Sequence, residues 1–397
     1  MKKVLLASVA AALMTGGAMA DGHGAIKLGV SLGFTGPLES LAPAMAGGAE
    51  LAMGEVNAAG GILDGKMFEA VQGDSTCIDA SAATSVAERL VTSDGVAGIV
   101  GAMCSGATGA ILANVAVPNG IVMVSPSATS SGLTTAEDNG LFFRTAPSDA
   151  RQGVIISEIL AENGITNVAV SYTNNDYGKG LADAFESAFE AAGGTVTINA
   201  AHEDNKADYS AEVGALAAAG GEVLVVAGYV DSGGSGIVRA ALDTGAFDTF
   251  YFPDGMVSEQ LGLNFPGEID GSFGANPGTD SNGAQLYQEM AAAGGFDGTS
   301  PFSAESYDAA ALIMLAMQAA GSADPADYKD TLMDVANAPG EVILPGELAK
   351  AIQILKDGGD VDYSGASAVE LIGPGEAGGN YRQITFENGE LVVVGYR

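Results

Sequence analysis

From Ile26 onward, short runs of β-branched and other apolar residues alternate with alanine-rich stretches of helical length, and this alternation constrains the fold more than any other feature of the chain. A helix long enough to carry the chain back across a sheet leaves the next strand parallel to the last, so the pattern implies α/β layers. A first set of strands is expected at residues 26–34, 67–72, 96–100 and 121–124. Between them lie helices such as 41–58 and one capped by Asp79, with Ala83, Val86, Ala87 and Leu90 on one face. The register restarts near 144–149, where Asp149 is read as a helix cap. A second set of strands follows at 168–172, 195–200, 223–227 and 250–252. Beyond 271–275 the pattern turns helical, and the last forty residues or so return to strand signals at 368–371, 381–386 and 390–396. A chain of 397 residues is too long for one simple core. No long flexible linker flanks the second set, so the expectation is two lobes that hinge about short crossings and enclose a cleft. The carboxyl ends of both sets of strands should face that cleft.

Charge narrows the partners. Fifteen Lys and Arg stand against 49 Asp and Glu, a net charge of −34 that repels phosphate backbones and anionic membranes. Nucleic acid is excluded as a main partner. The first twenty residues read as a secretory signal peptide: Lys2 and Lys3, an apolar run over 4–14, and Ala18-Met19-Ala20 before a cleavage site at Asp21. No cysteine near that site offers a lipid attachment point, and no later apolar run is long enough to span a bilayer. The mature protein is therefore expected to be exported. An even pair of cysteines, Cys77 and Cys104, then reads as one disulfide.

Enzyme signatures are scarce. There is no phosphate loop, and the nearest approach to a dinucleotide fingerprint, Gly234-Ser235-Gly236, has Arg239 where the third glycine belongs. Two His and two Cys show no metal-ligand spacing, so neither metal nor other cofactor is expected. His202, between Glu203 and Asp204, reads as a solvated turn residue. What remains is a set of polar residues just past strand ends. Ser105 and Thr129 offer hydroxyls from the first set; Tyr177, Tyr229 and Asp254 offer aromatic faces and an acid from the second. Hydroxyls and amides on one wall and an acid on the other suit a zwitterion with an apolar side chain.

At these residues the chain resembles the leucine/isoleucine/valine-binding family of periplasmic solute-binding proteins that feed ABC importers. The resemblance runs from Thr35-Gly36-Pro37 through Gly73-Asp74-Ser75-Thr76-Cys77 and Met103-Cys104-Ser105 to Ser125-Pro126-Ser127-Ala128-Thr129, Arg144-Thr145, Asp176-Tyr177-Gly178-Lys179-Gly180 and Glu305-Ser306-Tyr307-Asp308-Ala309. It implies a type I periplasmic binding protein fold: two doubly wound α/β lobes joined by three hinge crossings near 144–149, 271–275 and 379–380. Residues 21–145 with 276–378 would form one lobe, and 146–275 with 379–397 the other. It also implies a bridged Cys77–Cys104 pair, carboxylate binding by Ser105 and Thr129 with a backbone group of Ser127, tyrosines at Tyr177 and Tyr229, and Asp254 as the ammonium acceptor. Asp254 replaces the glutamate of the best-known members. Leu41 stands near the place of a side-chain-contacting tyrosine, with Glu39 beside it.

The implied function is periplasmic capture of an amino acid, branched-chain or similar, by a monomer that delivers it to a membrane ABC permease without catalysis. The alternatives are a binder of an amide, a urea-like or another small polar solute, a ligand-sensing receptor module, or a cleft hydrolase acting through a carboxylate pair.

Overall fold

The computed structural model describes residues 24–397; the signal-peptide expectation, its cleavage before Asp21 and His23 lie outside the described residues. Ten strands, in two sets of five, build the frames of two sheets. The first set is β1 (Ile26–Leu32), β2 (Phe68–Asp74), β3 (Ile99–Gly101), β4 (Met123–Ser125) and β5 (Phe142–Pro147). The second is β6 (Asn167–Thr173), β7 (Thr195–His202), β8 (Val223–Ala227), β9 (Phe250–Phe252) and β10 (Phe273–Pro277). Pairing within each set is parallel, in the orders β2-β1-β3-β4-β5 and β7-β6-β8-β9-β10. The two sheets thus share one winding, with a switch point where the order reverses, and ligands of such sheets collect outside the carboxyl ends of the strands.

The C-terminal part completes both sheets. After a small two-stranded sheet of β11 (Glu341–Ile343) and β12 (Val361–Tyr363), the short β13 (Leu371–Ile372) and β14 (Glu376–Ala377) extend the first sheet beside β5. Then β15 (Tyr381–Glu387) pairs antiparallel with β10, and β16 (Glu390–Tyr396) forms the edge of the second sheet. The chain passes between the sheets after Pro147, after Pro277 and after Ala377. The middle passage falls past 271–275, because those residues begin β10 and are held in the second sheet by Tyr251 and Phe252.

Packing follows from the sequence pattern. Every residue of β8 is buried, as expected of a central parallel strand with helices on both faces. In the first lobe, helices Ala42–Ala58 and Ser303–Ala320 pack tightly. The Ser303 hydroxyl donates to the Ala44 carbonyl at 3.0 Å, and a Cβ on Gly48 would fall 2.3 Å from the Ser303 carbonyl oxygen. Cys77 and Cys104 are bonded, with Cα atoms 5.1 Å apart. Asp79 caps helix Ala80–Arg89 by accepting from the amides of Ser81 and Ala82.

Three readings are corrected. Phe142–Pro147 is a fully buried strand, not a break in the pattern. The cap of helix Asp149–Glu162 is Ser148, which leaves the Asp149 carboxylate free to point elsewhere. His202 is buried at 1% exposure: it ends β7, and its Nδ1 lies 2.8 Å from the Ser171 hydroxyl. Burial holds its pKa down to about 4, against the pull of Asp204, Glu212 and Glu203.

Candidate functional site

The loops at the carboxyl ends of β3 and β4 face those of β6, β8 and β9 across a narrow cavity. Met103, Cys104, Ser105 and Ser127 line it from the first lobe, with Leu38 and Phe302 beside them. Tyr177, Tyr229, Asp254 and Gly255 line it from the second. The structure therefore gathers Ser105, Ser127, Tyr177, Tyr229 and Asp254 around one space. Thr129 is buried behind that lining.

On the second lobe, Asp254 follows β9 and is 1% exposed. Tyr177, in the first turn of helix Asp176–Ala191, donates its hydroxyl to Asp254 Oδ1 at 2.6 Å, and accepts in turn from the Gly255 amide at 3.0 Å. Glycine is required there, since a Cβ on residue 255 would stand 2.7 Å from the Tyr177 Oη and 2.6 Å from the Gly228 carbonyl. Tyr229 stacks on Tyr177 with ring centroids 5.2 Å apart and accepts a 3.3 Å hydrogen bond from Asn175. Burial raises the pKa of Asp254, opposed by the donors Tyr177 and Gly255.

On the first lobe, Ser105 opens helix Ser105–Ile111 and its hydroxyl oxygen accepts from the Ser130 amide at 3.1 Å, leaving its own proton to donate. The Ser127 side chain turns away to donate to the Met103 carbonyl at 2.7 Å, so this residue meets the cavity mainly through its backbone. Arg144 holds the loop in place. Its buried guanidinium donates to the carbonyls of Ala128 and Ser130, to Thr134 and to Glu376. Arg144 belongs to the quoted sequence pattern, yet its clamping role could be read only from the fold.

Two residues behind the cavity had no signal in the sequence beyond a helix start. Asp149 is fully buried, and neither carboxylate oxygen has a hydrogen-bond partner; both amide atoms of Gln152 and the Thr129 hydroxyl are likewise unpaired. Burial and then the Asp254 carboxylate push the Asp149 pKa well above the ordinary range, opposed by the nearby Thr129 hydroxyl and Arg144. Among the described residues, no Lys or Arg lines the cavity. Leu41 does not line it either; Leu38, three residues earlier, does. Among the described residues, no cluster of three or more His, Cys, Asp or Glu is arranged to hold a metal ion.

Two facing α/β lobes with a cavity at the carboxyl ends of their strands, lined by apolar side chains together with Ser105, Tyr177, Tyr229 and Asp254, define a two-lobe solute binder. The family model described as periplasmic binding protein matches residues 25–349, and the chain belongs to that family. It is 30% identical over 366 residues to Leu/Ile/Val-binding protein homolog 1 of Brucella suis biovar 1 (strain 1330), covering 87% of this chain and 95% of the relative. Its fold matches a branched-chain amino acid transporter substrate-binding protein from Streptococcus pneumoniae in complex with isoleucine, with a TM-score of 0.76 at 25% identity, covering 93% of this chain and 99% of that one. It also matches a solute-binding protein of R. palustris in complex with benzoate, with a TM-score of 0.75 at 18% identity over 94% of this chain and 96% of that one. The protein is thus a periplasmic binding protein of the branched-chain amino acid ABC transporter type. Its fold is that of the type I binding proteins. Proteins of this family bind small molecules and serve membrane permeases.

Proposed function

We propose that the protein captures an amino acid with an apolar side chain in the cavity between its lobes and releases it unchanged to an ABC permease. The observation that carries this reading is the Asp254 carboxylate, buried against the cavity, hydrogen-bonded to Tyr177 and facing no lining cation. A buried anion needs a partner, and a ligand ammonium supplies it. The ligand carboxylate would then lie toward the first lobe, where Ser105, Thr129 and the Ser127 backbone offer donors. Leu38, Met103 and Phe302 provide apolar surface for the side chain. A solute whose only charge is a carboxylate, such as benzoate, would bring a second anion beside Asp254, and this favours an amino acid over an aromatic acid.

A neutral amide is the second reading. It is favoured by the raised pKa of Asp254, since burial that disfavours the carboxylate charge also favours an uncharged partner. Export to the periplasm with a mature start at Asp21, function as a monomer, and lobes divided at three passages near 145, 275 and 378 complete the proposal. Mass spectrometry of ligand released from the purified protein tests it, together with calorimetric titration using leucine, isoleucine, valine, benzoate and urea. Binding of benzoate but of no amino acid would overturn the reading, and recovery of a hydrolysed ligand would overturn the non-catalytic role.

A further inference from the structure

The first lobe lends the cavity two apolar walls, Leu38 and Phe302, and each is tied to the second lobe by hydrogen bonds that do not touch the cavity. Leu38 sits between two such bonds to one residue. The Asp231 amide donates to the Pro37 carbonyl at 3.1 Å, and Asp231 Oδ2 accepts from the Ser40 amide at 2.9 Å. Asp231 itself lies on the loop between β8 and helix Gly233–Thr244 of the second lobe. The pair therefore closes a bracket around Leu38 that exists only while the lobes are together.

Phe302 is held in an analogous way from the opposite side. Arg382 is the second residue of β15, just beyond the third passage between the sheets, and its Nη1 donates to the Thr299 carbonyl of the first lobe at 3.0 Å. Its Nε donates to Asn276 Oδ1 at 3.3 Å, and Asn276 donates to the Pro277 carbonyl at the second passage. The guanidinium has no carboxylate within ion-pair distance among the described residues, so its hydrogen bonding is directed to these two oxygens. Three residues after Thr299, Phe302 adopts φ 62°, which the left-handed region seldom accepts from a bulky side chain, and it leads into helix Ser303–Ala320. Phe302 borders both the ligand cavity and a second, open pocket that Arg382 lines, so the guanidinium acts on the far side of the wall that a ligand would touch.

We propose that Asp231 and Arg382 are positioning residues that convert lobe closure into assembly of the side-chain pocket, by locking Leu38 and Phe302 into place from the opposite lobe. The inference rests on the cavity being the capture site. It assigns to these two residues no contact with ligand. Interactions formed only on closure slow escape more than entry, so their loss should fall on the dissociation rate. The effect should also be larger for a ligand that reaches the walls than for one that does not.

Stopped-flow binding tests this with leucine and with alanine as probes. The chain has no Trp, so the Tyr177–Tyr229 pair can be followed by tyrosine fluorescence. Asp231→Ala and Arg382→Met are each expected to raise the leucine dissociation rate roughly tenfold, to leave the association rate within about twofold, and to shift alanine dissociation by less than about threefold. Asp231→Asn keeps an oxygen for the Ser40 amide and should restore most of the leucine residence time. Unchanged leucine dissociation in both variants would overturn the proposal, and so would equal effects on leucine and alanine. If wild-type protein binds neither probe, the capture reading fails. The latch is then decided by hydrogen exchange on the protein as purified, in a closed form verified by small-angle scattering: faster exchange at residues 36–41 in Asp231→Ala and at 299–303 in Arg382→Met supports it, and unchanged exchange overturns it.

Discussion

The two lobes wind their five-stranded frames in the same order, yet they bring opposite chemistry to the cavity. The first offers hydroxyls, backbone groups and apolar walls, and its buried Arg144 is consumed in holding the loop that carries Thr129. The second offers an acid braced by two stacked tyrosines. A shared winding directs loops to the same end of each sheet, and the loop residues alone decide which pole of a ligand each lobe meets. For the amino acid proposed above, the difference sets the orientation: carboxylate toward the first lobe, ammonium toward the second.

The sharpest way to break that asymmetry is to remove the acid. Asp254→Ala leaves a bound ammonium unpaired in a closed cavity, a loss of about 3 to 5 kcal/mol, and should weaken amino-acid binding by roughly two to four orders of magnitude at about 1.4 kcal/mol per tenfold. Asp254→Asn keeps the shape without the charge. Calorimetry should find it nearly as damaging for an amino acid and mild for a neutral amide, so the two titrations together separate the two ligand classes.

The acid and the tyrosines were legible because strand ends in an α/β sheet can be read from the apolar runs, and the residues just beyond them are few. Other features escaped for identifiable reasons. β5 carries Arg144, Thr145 and Pro147, residues that hide a strand until the clamp on Ala128 and Ser130 is seen. His202 has two acidic neighbours in the sequence, and only its pairing beside Ser171 of β6 shows it turned inward. Asp149 and Gln152 gain their meaning from residues of other loops, which no local pattern encodes. Leu38 rather than Leu41 meets the cavity because the turn of the loop before helix Ala42–Ala58 sets which side chain faces in.

A second contrast lies in covalent support. The disulfide belongs to the first lobe alone and spans 27 residues, ending one position before Ser105. The loop-entropy relation assigns such a bridge about 3.5 kcal/mol. The double substitution Cys77→Ser, Cys104→Ser should lower unfolding stability in urea by about that amount. If the lobes unfold separately, the loss should appear in only one of two transitions.

One buried group in each lobe should also respond to pH in the opposite sense to the other. In the first, Glu305 is 3% exposed, and burial pushes its carboxyl up to about 8 from an ordinary 4.5. A carboxyl raised on folding contributes stability that is fully present below about pH 4.5 and is lost as pH rises through about 8. In the second, burial lowers the His202 pKa to about 4 from 6.5, so its contribution is present above about pH 6.5 and is lost as pH falls through about 4. Each group changes stability by at most about 1.4 kcal/mol per pH unit. Relative to wild type, Glu305→Gln should therefore gain stability from pH 4.5 toward 8, and His202→Asn should gain it as pH falls from 6.5 toward 4. Thermal melts across pH would expose an error if both variants ran parallel to wild type.

The smallest expected effect is also the most discriminating for the first lobe. The Thr129 hydroxyl is buried without a hydrogen-bond partner, behind the residues that border the cavity. A buried donor left unpaired costs stability, so exchanging it for a methyl of the same shape should leave the melting temperature of ligand-free Thr129→Val at or above that of wild type. If the hydroxyl completes the carboxylate side of the site once a ligand is in place, the same change removes one hydrogen bond to a charged group, about 1.5 kcal/mol, and binding should weaken by roughly tenfold. Ser105→Ala would differ, because it also removes the acceptor of the Ser130 amide and should therefore cost stability as well as affinity. A Thr129→Val protein that melts like wild type and binds leucine with wild-type affinity would confine the first lobe's recognition to Ser105 and the Ser127 backbone, and would leave Thr129 as a neighbour of Asp149 alone.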